Sequence, residues 1–214
     1  IEIGGSFRIP DVIKKANCTM VEVGTTNKTH LKDYKDAINE NTGMIMVAHT
    51  SNYKVVGFTK SVELNDLALL AESKKIPLFV DVGSGAIINY DKFALPKEKM
   101  ISEYIKMGVD IVSFSGDKLI GGPQTGILCG KKSKINKVHS NSMYRALRCD
   151  KITISILELI LKSYIDENNV HNTNLTFHLL IRNRKELKKI GNKILKKINV
   201  SIIKNYDLKL VETF

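Results

Sequence analysis

Residues 113–128 read SFSGDKLIGGPQTGIL and place a single lysine, Lys118, in a Ser-Gly-Asp-Lys turn directly after an apolar run. Asp117 precedes this lysine, and the glycine pair Gly121 and Gly122 follows it. The apolar run has the length and β-branched composition of a buried strand. A lysine whose only role is to be solvated at the surface does not require a position in a tight turn after a buried strand. The stretch therefore predicts a lysine that meets a ligand at the end of a sheet.

Short apolar runs alternate with helical patterns along much of the chain. The predicted strands are 20–24, 44–50, 77–83, 109–115 and 126–131. The predicted helices are 30–40, 61–75 and 96–108. The first follows a Thr-Asn-Lys-Thr turn that could cap it, and the second opens with Ser61. The third begins with Pro and ends with Gly. This order predicts βαβ units and an α/β fold whose sheet is covered by helices on both faces. The loop before the last strand is too short for a helical crossover, so that strand is predicted to be an antiparallel edge.

The length and composition of the chain limit the classes of protein to which it can belong. With 214 residues, 43% of them hydrophobic, the chain suits one domain or one domain and part of another. Its start at Ile1 and its strand-like end favour a piece of a longer polypeptide. No apolar run approaches the roughly 20 residues of a membrane span, and no signal peptide is evident. Three cysteines without CxxC spacing argue against a disulfide framework or a zinc site and favour a reducing cytoplasm.

Much of the net charge of +11 lies in residues 182–197, which hold eight Lys/Arg and one Glu. Apolar residues recur there at helical spacing, so the basic residues can occupy the solvated face of a helix. The charge alone therefore does not establish a nucleic-acid site.

Polar residues follow three successive predicted strands, at the edge where open α/β sheets bind ligands. His49 lies at the end of the second predicted strand and Asp81 near the end of the third, while Ser115 ends the fourth, with Asp117 and Lys118 in the turn after it. The glycines near them fit neither the Walker A spacing nor the complete dinucleotide fingerprint.

An aspartate at the end of one strand and a lysine after the next are the pair that pyridoxal phosphate requires. The cofactor aldehyde condenses with a lysine amine, here Lys118, and its ring nitrogen stays protonated beside a carboxylate, here Asp81. Ser115 is a candidate for the cofactor phosphate, His49 for stacking on the ring, and Asn52 for the phenolic oxygen. The structural alternatives are a turn lysine, an aspartate that caps the Gly-Ser-Gly turn, and a histidine satisfied within the core.

Six stretches carry a resemblance to a known family: EIGGSFRIPDV, VEVGTTNKT, SNYKVVGFT, DVGSGA, FSGDKLIGGPQTGI and RALRCDKITI. In this order and spacing they resemble the bacterial selenocysteine synthases, the L-seryl-tRNA(Sec) selenium transferase family. The resemblance runs from residue 1 to about residue 164 and is weak beyond it. It implies a fold type I pyridoxal-phosphate enzyme of the aspartate aminotransferase-like class.

The same resemblance implies a division of the chain. Residues 1–148 would form part of the large cofactor-binding domain, whose N-terminal portion lies outside this chain. Residues 149–214 would form a connecting helix and the start of a small C-terminal α/β domain. The family also implies a ring-shaped homo-oligomer of dimers.

The implied reaction converts seryl-tRNA(Sec) to selenocysteinyl-tRNA(Sec). The serine hydroxyl is lost by β-elimination to an aminoacrylate, and selenium from selenophosphate then adds. Lys118 would take the Cα proton and Asp81 would keep the ring nitrogen protonated. Arg145 and Arg148 match the family's selenium-donor site, and their i, i+3 spacing would put both on one helical face. Arg8 and Asp117 are further substrate-site candidates.

Two alternatives stay open at this point. A related pyridoxal-phosphate lyase acting on a small amino or sugar acid would share Asp81 and Lys118 but would need neither the arginine pair nor tRNA. A non-catalytic nucleic-acid-binding protein with the same fold would have no use for Asp81 and Lys118.

Overall fold

The computed structural model describes residues 2–3, 7–50, 53, 55–198, 206 and 208–211. The strands are β1 Glu2–Ile3, β2 Phe7–Arg8, β3 Ile45–Ala48, β4 Leu78–Gly83, β5 Ile111–Ser115 and β6 Gly126–Gly130. The helices are α1 Ile9–Lys15, α2 Leu31–Ala37, α3 Leu64–Ser73, α4 Ile101–Lys106, α5 Lys132–Ser140, α6 Tyr144–Leu147, α7 Lys151–Ser163, α8 Val170–Thr173, α9 Leu175–Leu180 and α10 Arg184–Lys197, with a 3-10 turn at Tyr90–Phe93. Within these ranges, no helix is both long and apolar enough to cross a membrane.

A four-stranded sheet in the order β3-β4-β5-β6 forms the centre of the fold. β3, β4 and β5 are parallel, and β6 runs antiparallel to β5. The predicted parallel sheet with an antiparallel last strand is confirmed. Because β3, β4 and β5 are parallel, their carboxyl ends share one edge of the sheet.

The two faces of the sheet are buried to different extents. Along β4, Leu78, Val80 and Val82 are buried, whereas the alternating residues, Asp81 among them, are half-buried. Val112 of β5 lies opposite Val80 and is also buried. Each such aliphatic side chain contributes about 1.5–3 kcal/mol when it leaves water. The period of two thus assigns one face to the core and the other to a more open surface.

The segment after α7 packs onto the same core. Phe177 is fully buried and makes edge-to-face contacts with Phe93, at 4.7 Å between ring centroids, and with Tyr90, at 5.8 Å. Tyr164 and Val170 belong to the same buried cluster as the strand residues. Residues 164–177 therefore pack against the 3-10 turn at Tyr90–Phe93 and the hydrophobic core of the sheet.

Side-chain caps fix where several helices begin. Asp150 accepts a hydrogen bond from the backbone N–H of Thr153 (2.9 Å) at the start of α7. At the start of α10, Asn183 accepts one from the N–H of Glu186 (3.0 Å). Such caps satisfy N–H groups that the helix itself leaves free.

The structure corrects several predicted elements. Residues 20–24 form no strand, because they pair with no neighbouring strand in the described part of the chain, and Val21 is 62% exposed. The helix predicted from Pro96 begins at Ile101, and the one predicted from Ser61 begins at Leu64. His30, not the Thr-Asn-Lys-Thr turn, precedes α2 as its N-cap residue. The helix predicted within 182–197 is confirmed as α10.

Candidate functional site

The carboxyl edge of the parallel strands brings the predicted site elements together. Ala48 at the end of β3 lies opposite Asp81, and Asp81 lies opposite Ser113 of β5. The backbone N–H of His49 donates to the carbonyl of Asp81 (2.8 Å). The predicted neighbourhood of these strands is therefore confirmed, with Ala48, Asp81 and Ser113 side by side on β3, β4 and β5.

The Asp81 carboxylate is held by a neighbouring strand. The hydroxyl of Ser113 donates to Asp81 Oδ1 at 2.8 Å, and both residues are half-buried on the more open face. Sequence reasoning missed Ser113. The signal was present, because alternate residues of a strand share a face and a neighbouring strand brings that face beside Asp81.

The turn after Asp81 is compact. Gly85 has φ +73°, and a Cβ there would lie 2.6 Å from the Phe114 ring, so only glycine fits without displacement. Between the two turn glycines, the Ser84 hydroxyl oxygen is buried and has no hydrogen-bond partner among the described residues. Buried hydroxyls are normally paired, so Ser84 is an additional polar group of this edge that sequence reasoning missed.

The turn that carries Lys118 is closed by backbone hydrogen bonds. The N–H of Gly122 donates to Gly116 O (2.8 Å), and the N–H of Gly121 donates to Lys118 O (2.9 Å). Asp117 and Lys118 are exposed. Within the described part of the chain, the Lys118 amine has neither a hydrogen-bond nor an ion-pair partner. A fixed backbone thus presents an amine that is free to meet a ligand.

Two tyrosines reach the segment just after this lysine. The Tyr164 hydroxyl donates to the carbonyls of Leu119 (3.1 Å) and Ile120 (3.0 Å), and the Tyr90 hydroxyl lies 3.4 Å from the Leu119 carbonyl. Burial raises the pKa of Tyr90 to about 12, with a smaller contribution from Glu98. Burial likewise raises the pKa of Tyr164 above its usual range. Burial thus keeps both phenols protonated to a higher pH than an exposed tyrosine.

The other cofactor candidates lie near this edge or outside the described residues. Ser115 is the last residue of β5 and is half-buried. The side chain of His49 is exposed directly after β3, which excludes the alternative of a core histidine. Asn52 lies outside the described residues.

Two of the arginine candidates lie at and directly after the short helix α6. Arg145 belongs to α6, but Arg148 follows it with an extended backbone (φ −68°, ψ 129°). Because Arg148 is the C-cap residue directly after Leu147, the expectation that both arginines share one helical face stays a prediction. Both are exposed, and neither contacts Asp81 or Lys118 through a hydrogen bond or ion pair within the described part of the chain. Arg8 is exposed at the end of β2 and precedes α1.

Comparison with known proteins assigns the family. The family described as SelA, L-seryl-tRNA selenium transferase, matches residues 1–214. The chain belongs to this family. The selenium transferase match extends over the whole chain, further than the sequence motifs alone indicated.

Curated relatives of this selenium transferase family are similar over most of the chain. The L-seryl-tRNA(Sec) selenium transferase of Clostridium perfringens is 48% identical over 194 residues, and that of Salmonella arizonae is 47% identical over the same length. Each alignment covers 91% of this chain and 42% of the relative. The chain thus spans less than half the length of the curated relatives it matches.

Solved structures confirm the fold class. D-Glucosaminate-6-phosphate ammonia-lyase superposes with a TM-score of 0.59 and 23% identity, over 72% of this chain and 38% of that one. A variant of Thermus thermophilus aspartate aminotransferase superposes with a TM-score of 0.54 and 20% identity, over 88% of this chain and 51% of that one. The predicted α/β fold of the aspartate aminotransferase-like class is therefore confirmed. At these identities the likeness concerns the fold alone.

Proposed function

We propose that this chain carries the cofactor-binding core of an enzyme that converts seryl-tRNA(Sec) to selenocysteinyl-tRNA(Sec) with selenophosphate as selenium donor. The observation that carries the proposal is the Asp81 carboxylate, which Ser113 fixes at the carboxyl edge of the sheet beside the strand that leads to Lys118. Family membership supplies the reaction class.

The donor set at this edge fits pyridoxal phosphate. The group needs an amine for its aldehyde, a carboxylate for its ring nitrogen, and hydroxyl or amide donors for its oxygens. Lys118 offers an amine without a partner among the described residues, and Asp81 offers an oriented carboxylate. Ser115 and the unpaired, buried hydroxyl of Ser84 offer donors at the same edge. His49 and Asn52 complete the proposed cofactor contacts.

When bound, pyridoxal phosphate supplies an electron sink for the electron pair left on the substrate Cα. Lys118 binds the cofactor and, once released, accepts the Cα proton on its Nζ atom. Asp81 holds the proton of the ring nitrogen, and Ser113 keeps its carboxylate in one orientation. The closed turn at Gly116–Gly122 keeps the base of the Lys118 side chain in place.

The selenium donor is an anion and needs cations. Arg145 and Arg148 would bind the oxygens of selenophosphate through charge-assisted hydrogen bonds. Arg145 lies within α6 and Arg148 is the residue directly after it. Arg8 and Asp117 are proposed to contact the substrate at the same site.

Further expectations accompany this proposal. The partners are seryl-tRNA(Sec), selenophosphate and further copies of the chain in a ring of dimers, and the place of action is the cytoplasm. The division near residue 148 remains a proposal, with 149–214 beginning a second domain. Residues 164–177 nevertheless pack on the core formed by the first part.

The test is conversion of seryl-tRNA(Sec) by the natural protein that carries this chain, with and without selenophosphate. We expect selenophosphate-dependent formation of selenocysteinyl-tRNA(Sec). Borohydride reduction and peptide mapping of the same preparation should label Lys118. Elimination from a small amino or sugar acid, without any reaction of the charged tRNA, would instead support the lyase. Absence of a cofactor absorbance band would support the non-catalytic alternative.

A further inference from the structure

The turn that carries Lys118 receives hydrogen bonds from a distant part of the chain. The carbonyl of Ile120 accepts bonds from the Tyr164 hydroxyl (3.0 Å) and from Asn174 Nδ2 (2.9 Å). Tyr164 also donates to the carbonyl of Leu119 at 3.1 Å. These two carbonyls belong to the first two residues after Lys118.

Both donors are buried. Tyr164 is 7% exposed and Asn174 is 1% exposed, and Asn174 is one of the few buried polar residues in the described part of the chain. Burying an amide or a phenol is unfavourable unless its hydrogen bonds are made, so a buried donor favours the geometry in which it is satisfied. That geometry is set here by the backbone after Lys118.

Asn174 links this turn to a helix. Its Oδ1 atom accepts from the N–H of Phe177 (2.9 Å) and caps α9, while its Nδ2 atom binds Ile120. A Cβ at Gly121 would lie 2.5 Å from Thr176, so the first turn of α9 lies directly against the turn. The start of α9 and the Lys118 turn therefore occupy fixed positions relative to each other.

We infer that Tyr164 and Asn174 are positioning residues for Lys118, whose amine they place indirectly by binding the carbonyls of Leu119 and Ile120. Reacting groups must be held to within roughly 0.5 Å, and a displacement of about 1 Å lowers rates by about 100-fold. The lysine side chain is long and exposed, so its range is set by the backbone from which it extends. This inference rests on the proposed function only in that Lys118 carries the cofactor.

Two substitutions separate positioning from packing. Tyr164→Phe removes the hydroxyl and keeps the ring. Asn174→Asp keeps an oxygen that caps α9 but replaces the donor to Ile120 by a second oxygen. The matched control is Tyr104→Phe, because Tyr104 is 4% exposed in the same core and its hydroxyl has no hydrogen-bond partner among the described residues.

The variants are compared in the natural protein by titration with pyridoxal phosphate, followed by absorbance, at a temperature well below melting. For Tyr164→Phe we expect the dissociation constant to rise about 2- to 12-fold, the change that corresponds to one neutral hydrogen bond. Asn174→Asp should change it in the same direction. The pH midpoint of the cofactor absorbance band should move in both variants and stay unchanged in Tyr104→Phe, even where melting temperatures fall equally.

A third measurement needs no cofactor. Reductive methylation of the cofactor-free protein, followed by mass spectrometry, gives the rate at which the Lys118 amine is modified relative to other exposed lysines. This relative rate should change in Tyr164→Phe and not in Tyr104→Phe. If borohydride labels Lys118 but the dissociation constant, the pH midpoint and the methylation rate all match the control, the positioning role is overturned and the proposed function stands. If borohydride labels another lysine, both fail.

Discussion

Gly121 offers a direct test of how tightly the Lys118 turn is built. It has φ +74°, and a Cβ at this position would lie 2.5 Å from both the Cβ and the Oγ1 atoms of Thr176. The backbone conformation costs an alanine about 1–2 kcal/mol. The contact is more than 1 Å inside normal van der Waals separation, and such overpacking costs about 1–3 kcal/mol more. The smaller entropy of the unfolded alanine chain offsets about 0.4–1 kcal/mol.

We therefore expect Gly121→Ala to lower the free energy of unfolding by about 1–5 kcal/mol. Two other glycines separate the two costs. Gly57 has φ +117° and no atom within 4 Å of a built Cβ, so Gly57→Ala shows the cost of a positive φ without a steric contact, at a φ different from that of Gly121. Gly43 also has no atom within 4 Å and does not have a positive φ, so Gly43→Ala should change stability by less than about 1 kcal/mol. Urea unfolding of the natural protein gives all three values.

A double-mutant cycle identifies the contact. Thr176→Gly removes the two Thr176 atoms 2.5 Å from the new Cβ and leaves Asn174 Oδ1 at 3.1 Å, so it should restore part of the loss in the Gly121→Ala background. The coupling free energy should be about 0.5–3 kcal/mol. A coupling near zero would refute the argument that α9 limits the space at this turn.

Three further predictions concern the site and the core. Ser113→Ala removes the hydrogen-bond donor to Asp81 and should weaken pyridoxal phosphate binding about 10- to 100-fold in an absorbance titration. The reason is that hydrogen bonds to charged groups are worth about 1.5–3 kcal/mol. Unchanged binding would contradict this role of Ser113. Replacing Arg145 and Arg148 together with Ala should leave cofactor binding intact but reduce selenium incorporation into charged tRNA at least 100-fold. Each lost charge-assisted hydrogen bond is again worth about 1.5–3 kcal/mol. Selenium incorporation at the parental rate would show that both arginines are surface residues without a role at the site. Burial raises the pKa of Tyr90 from 10.0 to about 12, so the stability from its retained proton is complete below pH 10 and is lost as the pH rises toward 12. Tyr90→Phe should make the alkaline decrease in urea stability less steep, and an unchanged slope would show that other groups cause it.

The central sheet could be predicted because its signals are local. Strands β3, β4, β5 and β6 each coincide with an apolar run, and the short loop before β6 allows only an antiparallel return. The run at 20–24 looks equally strand-like, but a strand needs a neighbour, and no sequence pattern shows that none is available in the described part of the chain.

Helix starts were misplaced for a specific reason. The Glu103 carboxylate accepts from the N–H of Met100 (2.7 Å), which fixes the start of α4 at Ile101 and not at Pro96. Asp33 does the same for the N–H of His30 (2.7 Å) at the start of α2. In both cases an acidic residue in the first turn reaches back to the residue before the helix. The predicted helix starts were based on prolines and hydroxyl residues and did not use these acidic residues.

The site was predictable where it follows from strand order. Asp81 and the turn at Lys118 lie at ends of adjacent parallel strands, and this adjacency follows from the βαβ pattern. The hydroxyl of Ser113 could have been inferred from alternation along β5. The end of α6 at Leu147, directly before Arg148, could not, because neither a glycine nor a proline marks it in the sequence.

The least predictable feature is the support beneath Lys118. The residues that follow it, Leu119, Ile120 and two glycines, can close a turn, but their side chains cannot donate hydrogen bonds to the carbonyls of Leu119 and Ile120. Those carbonyls are satisfied by Tyr164 and Asn174, which lie 44 and 54 residues beyond Ile120. A lysine that binds a cofactor and then transfers a proton needs a mobile amine on an immobile backbone. The mobility is encoded locally, in a long, exposed side chain after Asp117, whereas the immobility depends on a later segment folding back over the turn.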